Sequence, residues 1–485
     1  MTRLRLRIRC LVGLEHQGAL LQSRMARVLF LVSAMALVSA QQFSYWSLES
    51  GPDGFYRNVL NLGASYQRYF SFFYYFDGFP VNLDRMDTST REAAEATLAR
   101  EGARLRTDLN VYNRASVVLF YPETWLKGRP DTAEMRTGLA IWFTVSLLAV
   151  IAAFWFVGMP VLGLLVALLC GSNPFQVHEI YHLGSSTIFS MVISTGLMAT
   201  AIALILSSPA SLRRPRFAVT VICLAAAVCA LQYEIRLEGI GGFLGAAFAW
   251  LVLSRHSWRQ KVAYACLFAV MVVGTSRFMN WYFDAKLATA DQIVEQHGGT
   301  PARVTNAYYS TQWWALWSGL GDFDEKYGYL ADDRAGISYY YGHDTSLHSE
   351  PAMRKDYLER VASDPAWWLD ILGRRVKRIF TENTPYRVGY GTWHVDLPLD
   401  ATIVALAALV PLAAALWTWH TTVLTMFVVS LSIGAVSIGQ LADYGLQFYS
   451  VVHLFVAAYV ACVVLDAVLA LCRVTPPALR ATAAG

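Results

Sequence analysis

The sequence predicts an all-α polytopic membrane protein of about ten transmembrane helices, and three observations carry that prediction. Of 485 residues, 55% are hydrophobic and only 15% are charged, whereas a soluble globular chain carries roughly 25% charged residues. Runs of about 20 apolar residues, the length that crosses a hydrocarbon core, recur along most of the chain. The net charge of +4 is spread between loops and not gathered on one face, which argues against nucleic acid as a partner. A cytosolic enzyme is excluded.

Ten spans follow from the apolar runs: 27–46, 138–157, 159–172, 186–206, 217–235, 239–254, 262–283, 401–419, 422–442 and 448–471. The third is short, and its boundary with the second falls at Gly158-Met159-Pro160. Lys and Arg near span ends mark the cytoplasmic side. Arg3, Arg5, Arg7, Arg9, Arg24 and Arg27 precede span one; Arg213, Arg214 and Arg216 follow span four; Arg255, Arg259 and Lys261 follow span six; Arg473 and Arg480 close the chain. All four groups fall on one side. The prediction is therefore a cell (inner) membrane protein with both termini cytoplasmic and its large loops outside or periplasmic.

The domain plan has a basic cytoplasmic leader over 1–26 and a membrane region over 27–283 that includes a first exterior loop at 47–136. An exterior aromatic-rich domain at 284–398 follows, then a three-helix membrane region at 401–471 and a cytoplasmic tail at 472–485. Residues before Met25 read as an unstructured leader, Met25 could equally be the start, and Val38-Ser39-Ala40 would also suit a signal peptidase. The seven cysteines all lie in the leader or in or beside spans, so no disulfide framework holds the exterior segments.

Those segments show helix starts. Ser89-Thr90-Arg91-Glu92 is a capping box opening a helix to about Arg106. Ser349-Glu350-Pro351 and Asp364-Pro365 each place a capping side chain before a proline suited to a first turn. The helix over 364–380 carries Leu369, Leu372, Val376, Ile379 and Phe380 on an apolar face, with Arg374, Arg375, Lys377 and Arg378 toward its end. It suits a membrane surface, or docking of the exterior domain to the bundle, and the two are compatible. The aromatic stretches Tyr66 to Phe79, Trp313 to Asp324 and Tyr339-Tyr340-Tyr341 fit either an interfacial belt or the stacking of sugar rings.

Ionisable residues at span ends are costly and point to function. Span five ends with Gln232, Glu234 and Arg236, span nine ends near Asp443, and span three runs into Asn173-Pro174-Phe175-Gln176-Val177-His178-Glu179-Ile180-Tyr181-His182. With the topology above these share the outer face with Asp53. His178-Glu179-Ile180-Tyr181-His182 is an H-E-x-x-H, in which two histidines four apart on a helix could ligate zinc with Glu179 as general base. Yet no Asp or Glu lies between Leu183 and Leu206, and Ser185 and Ile188 stand where the extended metzincin motif needs Gly and His.

One span, a long exterior loop with acids near its start, a short loop after span three and a late exterior domain resemble the GT-C superfamily of membrane glycosyltransferases. That group includes the protein O-mannosyltransferases and lipid A aminoarabinose transferases. Asp53-Gly54-Phe55-Tyr56 resembles the family's acidic motif, with Gly54 replacing a second acid and Glu49 upstream, so either Asp53 or Glu49 takes the role of base. The family's second acidic position falls on Glu179, and Asp364-Pro365 to Arg378 resembles its juxtamembrane helix.

The resemblance implies transfer of a sugar from a polyprenyl-phosphate donor to an envelope glycan, lipid or protein on the exterior face, with inversion. Arg236, beside Gln232 and Glu234, and Arg374 or Arg375 would neutralise the leaving phosphate. Glu179, with His178, His182 and Asp443, would orient the acceptor or hold a divalent cation, Mg or Mn. No cofactor is required by this reading. The alternatives are a zinc metalloprotease built on His178 and His182, and a transporter of lipid-linked sugars.

Overall fold

A computed structural model describes residues 3–48 except 22, the fragments 75–76, 79–80 and 105–106, and 132–181, 187–208, 214–235 and 240–299 except 297. It further describes 311–323, 326–329, 349–382, 384–439, 445–472, 474, 476 and 479. The described chain is predominantly helical. Helices cover every one of the ten apolar runs, but they differ in reach. Five are long and apolar enough to cross a membrane: Arg24–Trp46, Arg136–Phe156, Trp258–Met279, Ala401–Thr418 and Ser450–Leu471. A sixth arises if Pro160–Gly171 and Pro174–Tyr181, bent by 60° at their junction, count as one span, and four shorter apolar helices lie among them.

In chain order the helices are α1 (Arg3–Val12), α2 (Glu15–Leu20), α3 (Arg24–Trp46), α4 (Thr132–Phe156), α5 (Pro160–Gly171), α6 (Pro174–Tyr181), α7 (Thr187–Leu206) and α8 (Pro215–Ile235). They continue with α9 (Ile240–Leu253), α10 (Trp258–Gln296), α11 (Thr311–Gly319), α12 (Ser349–Ser363), α13 (Pro365–Thr381), α14 (Ala401–Thr418), α15 (Thr421–Gly439) and α16 (Gly445–Leu471). Helix α7 sits centrally against α4, α9, α15 and α8, while α16 packs on α15, α14 and α5. One apolar core runs through these helices, with Phe143, Phe154, Phe455 and Tyr459 fully buried. Helix α10 rests on α8 at the periphery, and none of its apolar window is buried in protein.

The expectation of an unstructured leader is overturned. Residues 3–20 form α1 and α2, which dock on α14 and α16. His16 Nδ1 donates to Asp466 Oδ2 at 2.7 Å, Gln17 N donates to Asp466 Oδ1 at 2.9 Å, and Tyr459 OH donates to Val12 O at 2.9 Å. Asp466 is 0% exposed, and a carboxylate that deep needs such partners. Between the two helices Gly13 leaves room that a side chain would not, since an added Cβ would meet His420 Nε2 at 2.5 Å. Alternation of arginine and apolar residues over 3–12 had looked like a tail; in fact Cys10, Val12 and Leu14 turn inward.

Contacts sort the helix ends into two groups. At the leader end lie α1 and α2, the start of α3, the α4–α5 turn at Gly158 and the ends of α14 and α16. At the other end a β-hairpin, β1 (Tyr386–Tyr390) and β2 (Trp393–Leu397), packs on the ends of α3 and α5. This hairpin was not foreseen in a domain read as helical. Its signal was present: alternating residues flank Gly391, whose φ of 59° is the left-handed conformation that a two-residue hairpin turn requires. The pairing runs from Tyr386 opposite Leu397 to Tyr390 opposite Trp393.

Of the predicted helix from Ser89 to Arg106, only the last two residues are described, and they form a short strand. Leu105–Arg106 and Phe79–Pro80 both pair antiparallel with Tyr75–Phe76. The helix predicted over 364–380 is α13, and the Asp364 side chain caps it by accepting from Trp367 N at 3.3 Å. It uses two stripes. Ile371, Arg375 and Ile379 are buried where the helix packs on α15 and α14, while Leu369, Val376 and Phe380 remain exposed, so docking to the bundle leaves an apolar stripe uncovered. All seven cysteines are free.

Candidate functional site at the hairpin end

The site is built around the break between α5 and α6. Unpaired backbone at membrane depth must be met by protein groups, and here side chains from α3 and from the break itself do so. Gln42 Nε2 donates to Gly171 O at 3.1 Å, Gln41 Nε2 donates to Gly389 O at 2.8 Å, and Ser172 Oγ lies 2.6 Å from Leu168 O and 2.8 Å from Arg387 O. Tyr181 OH donates to Gln42 Oε1 at 2.7 Å, and its ring packs 5.8 Å from that of Tyr45. Gly171 leaves room for these bonds, because a Cβ would stand 2.6 Å from both glutamine side-chain amides and displace them.

Helix α6 restarts as the sequence predicts, with Asn173 as cap and Pro174 in the first turn. Asn173 Oδ1 accepts from Phe175 N at 3.0 Å and from Gln176 N at 3.4 Å. The other end of that amide is different. Asn173 Nδ2, Gln176 Oε1 and Gln176 Nε2 are buried with no hydrogen-bond partner among the described residues, on residues 0% and 1% exposed. Asn173, Gln176 and Glu179 recur every third residue and so share one face of α6, and Glu179 is also buried. His178, about 100° around the helix, is exposed.

The H-E-x-x-H is therefore divided, with its first histidine outward and its glutamate inward; His182 lies outside the described residues. No group of three or more His, Cys, Asp or Glu side chains converges among the described residues.

The second polar focus is the basic end of α13. Arg375 is 6% exposed. Its Nε donates to Asp322 Oδ2 at 3.0 Å, its Nη1 to Ile438 O at 2.7 Å and its Nη2 to Gly319 O. Burial works against its charge, and Asp322 restores it. Arg378 Nη1 also reaches Asp322 at 3.1 Å, and its Nε pairs with Glu382 at 2.5 Å. The geometry makes Arg375 a clamp between α13, α15 and the 3-10 turn Leu320–Phe323. Arg374 sits at the surface on Asp370, 2.8 Å away, with its guanidinium 5.8 Å from the Phe323 ring. Nothing in Gly321-Asp322-Phe323 signals that Asp322 anchors two arginines 53 and 56 residues away.

Two of the tryptophans expected to stack on sugars meet aromatic neighbours edge-on: Trp313 lies 6.2 Å from Tyr357, and Trp317 lies 5.6 Å from Tyr329 and donates to Asp356 at 2.7 Å. Tyr339, Tyr340 and Tyr341 lie outside the described residues, and beside the tryptophans Tyr327 meets Trp367 edge-on at 4.9 Å. A cavity of ≈ 260 Å³ remains between α11, α12, α13 and α15, lined by Leu316, Tyr357, Trp368, Ile371, Arg375 and Ile438. Asp364 joins this cluster through Lys326 at 2.5 Å and Tyr327 OH at 2.7 Å, and these hydrogen bonds hold its carboxyl down at about 2. His453 bridges the clamp to α16: its Nε2 donates to Ile379 O, so Nδ1 accepts from Thr384 Oγ1 at 2.6 Å.

Of the other predicted site residues, Glu49, Asp53, Arg236 and Asp443 lie outside the described residues. Gln232 and Glu234 fall on the last turn of α8, with their side chains outside the description. The structure thus brings Glu179 to the hairpin end, where α3 also ends. No protein-family model matches the chain, and no curated protein resembles it closely enough to be counted a relative.

Proposed function

We propose that the chain is a membrane glycosyltransferase, similar in plan to the GT-C superfamily, that moves a sugar from a polyprenyl-phosphate donor to an envelope acceptor. One observation carries the reading: the buried α6 face on which the Asn173 amide nitrogen and the whole Gln176 amide have no partner among the described residues, one turn before the buried carboxylate of Glu179. An unpaired buried amide costs about 1–3 kcal/mol, and it offers both donor and acceptor, which is what a sugar hydroxyl needs. A carboxylate beside it supplies a base, or orients the acceptor for Asp53 or Glu49.

Orientation supports the chemistry. Arg5, Arg9 and Arg27 lie at the leader end of the bundle, and by the positive-inside rule this supports a cytoplasmic place for that end and an exterior one for the hairpin end. A polyprenyl-phosphate sugar keeps its tail in lipid and its anomeric carbon at that outer level. Arg236 remains the assigned phosphate ligand, with Arg374 as the accessible arginine of α13; Arg375 serves the fold. Any divalent cation, Mg or Mn, would sit with His178, His182 and Asp443.

The test is transfer from a polyprenyl-phosphate sugar by the purified protein in nanodiscs, wild type beside Glu179→Gln and Asp53→Asn. The expected result is loss of transfer by at least about a hundredfold, the usual weight of a catalytic acid or base, with donor binding retained. Transfer at the wild-type rate by both variants would sink the assignment.

One observation favours a second reading, a carrier of lipid-linked sugars. The α5–α6 span is bent by 60°, and broken helices line substrate sites in carriers. Product analysis separates the two: a carrier leaves the sugar–phosphate bond intact.

A further inference from the structure

Between α3 and α4 a groove of ≈ 370 Å³ opens sideways from the bundle, a size within the range of ligand sites. Ser39, Gln42, Phe43 and Trp46 line it from α3, and Thr137, Ala140, Ile141, Thr144 and Val145 from α4. Both sets follow the i, i+3, i+4, i+7 spacing of a single helix face. Its walls are apolar and open: Phe43, Ile141 and Val145 are among the exposed large hydrophobics of the chain. Its inner wall is polar and belongs to the site above, because Gln42 and Tyr181 both line the groove and hydrogen-bond to each other.

The groove also has a charged rim. Arg136, one residue before Thr137, holds its guanidinium 5.8 Å from the Trp46 ring and donates from Nη1 to Leu48 O at 2.9 Å, while Trp46 Nε1 donates to Thr137 Oγ1 at 3.0 Å. These contacts pin a cation where the apolar walls end. An apolar channel open to lipid, capped by a fixed cation and leading inward to an amide and a phenol, matches an amphiphile with one long chain, one anionic head and a polar substituent beyond it.

Resting on the transferase reading, we infer that the α3–α4 groove takes the first isoprene units of the polyprenyl-phosphate donor, with Arg136 adding a fixed cation for its phosphate to Arg236 and Arg374. The sugar is thereby directed past Gln42 and Tyr181 toward the unpaired amides of α6. No bond changes in this step; it is binding alone. Arg136 acts by its charge, retained whatever else it touches, so losing it weakens the head while leaving the chain site in place.

The experiment measures retention of undecaprenyl phosphate by the full chain in nanodiscs against competing phosphatidylglycerol, read by native mass spectrometry. Val145→Trp and Ile141→Trp fill the groove from its exposed rim, where a larger side chain does not disturb the core, and thermal unfolding confirms that each variant folds. Expected are preferential retention by wild type, about a tenfold loss on filling the groove, and about a tenfold, salt-dependent loss for Arg136→Gln, the scale of one charge-assisted hydrogen bond. Equal retention by wild type and both tryptophan variants overturns the inference, as does displacement by phosphatidylglycerol at equal concentration. Groove-dependent retention in a protein that transfers no sugar would defeat the transferase reading and leave the lipid site standing; transfer unaffected by the groove variants would do the reverse.

Discussion

Arg375 on α13 and Gln176 on α6 are both deeply buried polar side chains at the same end of the bundle, and they are treated in opposite ways. All three nitrogens of Arg375 meet protein acceptors, and its charge is answered by Asp322, whose side chain is only 2% exposed. Neither polar atom of Gln176 meets a partner among the described residues. A charge cannot be left bare in a low-dielectric interior, so it is buried only with its partners and becomes part of the framework. A neutral amide can be left bare at a cost the fold survives, and that makes it available to something other than the fold. The clamp therefore holds the site in place, and the amides face whatever enters it.

The sharpest way to break that contrast is to remove Asp322. Asp322→Ala leaves Arg375 buried without its counter-charge and is expected to destabilise the protein by about 3–5 kcal/mol, seen as a large fall in thermal stability in detergent. Lys377→Ala, at an exposed position of the same helix, should change little. A variant as stable as wild type would show that the arginine is not a clamp.

Gln176→Leu should behave the opposite way. It removes two unpaired polar atoms at nearly constant volume, so the ligand-free protein gains about 1–3 kcal/mol, while sugar transfer falls by about tenfold, the worth of one hydrogen bond to the substrate. A variant that lost stability and kept its activity would mean that the amide serves the fold after all.

How much of this contrast was legible in the sequence depends on range. The α6 cap, the proline in its first turn and the cap at Asp364 are local features, read correctly because capping is settled within three or four residues. The positions of the apolar helices were legible for the same reason, through periodicity and run length. Their reach was less so, because Pro160, Asn173 and Pro174 interrupt what composition alone shows as one apolar stretch.

Pairings across the chain were not legible. Nothing local ties His16 to Asp466, 450 residues on, so an arginine-rich leader read as a tail when it is a docked pair of helices. Asp322 and Arg375 likewise meet only in three dimensions. The H-E-x-x-H shows the converse: a strong local pattern whose two described residues, His178 and Glu179, turn to opposite environments once the helix is packed.

The smallest effect comes from the cap of α13, and it sharpens the comparison by isolating a surface charge from the buried ones. Hydrogen bonds from Lys326, Tyr327 and Trp367 N depress the Asp364 pKa from its ordinary 3.8 to about 2. A folded-state pKa below the unfolded value means that the carboxylate stabilises the fold above pH about 4 and loses that contribution as pH falls through about 2. The group is half-buried at the edge of the protein, with its Lys326 partner exposed, so its contribution is small and screened by salt. In acid titrations at low ionic strength Asp364→Asn should flatten the stability profile between pH about 4 and about 2, leaving neutral-pH stability only slightly lowered because asparagine still caps the helix. An unchanged acid profile would mean that the Lys326 and Tyr327 contacts do not hold the charged form, and that α13 is kept in place by the Arg375 clamp alone.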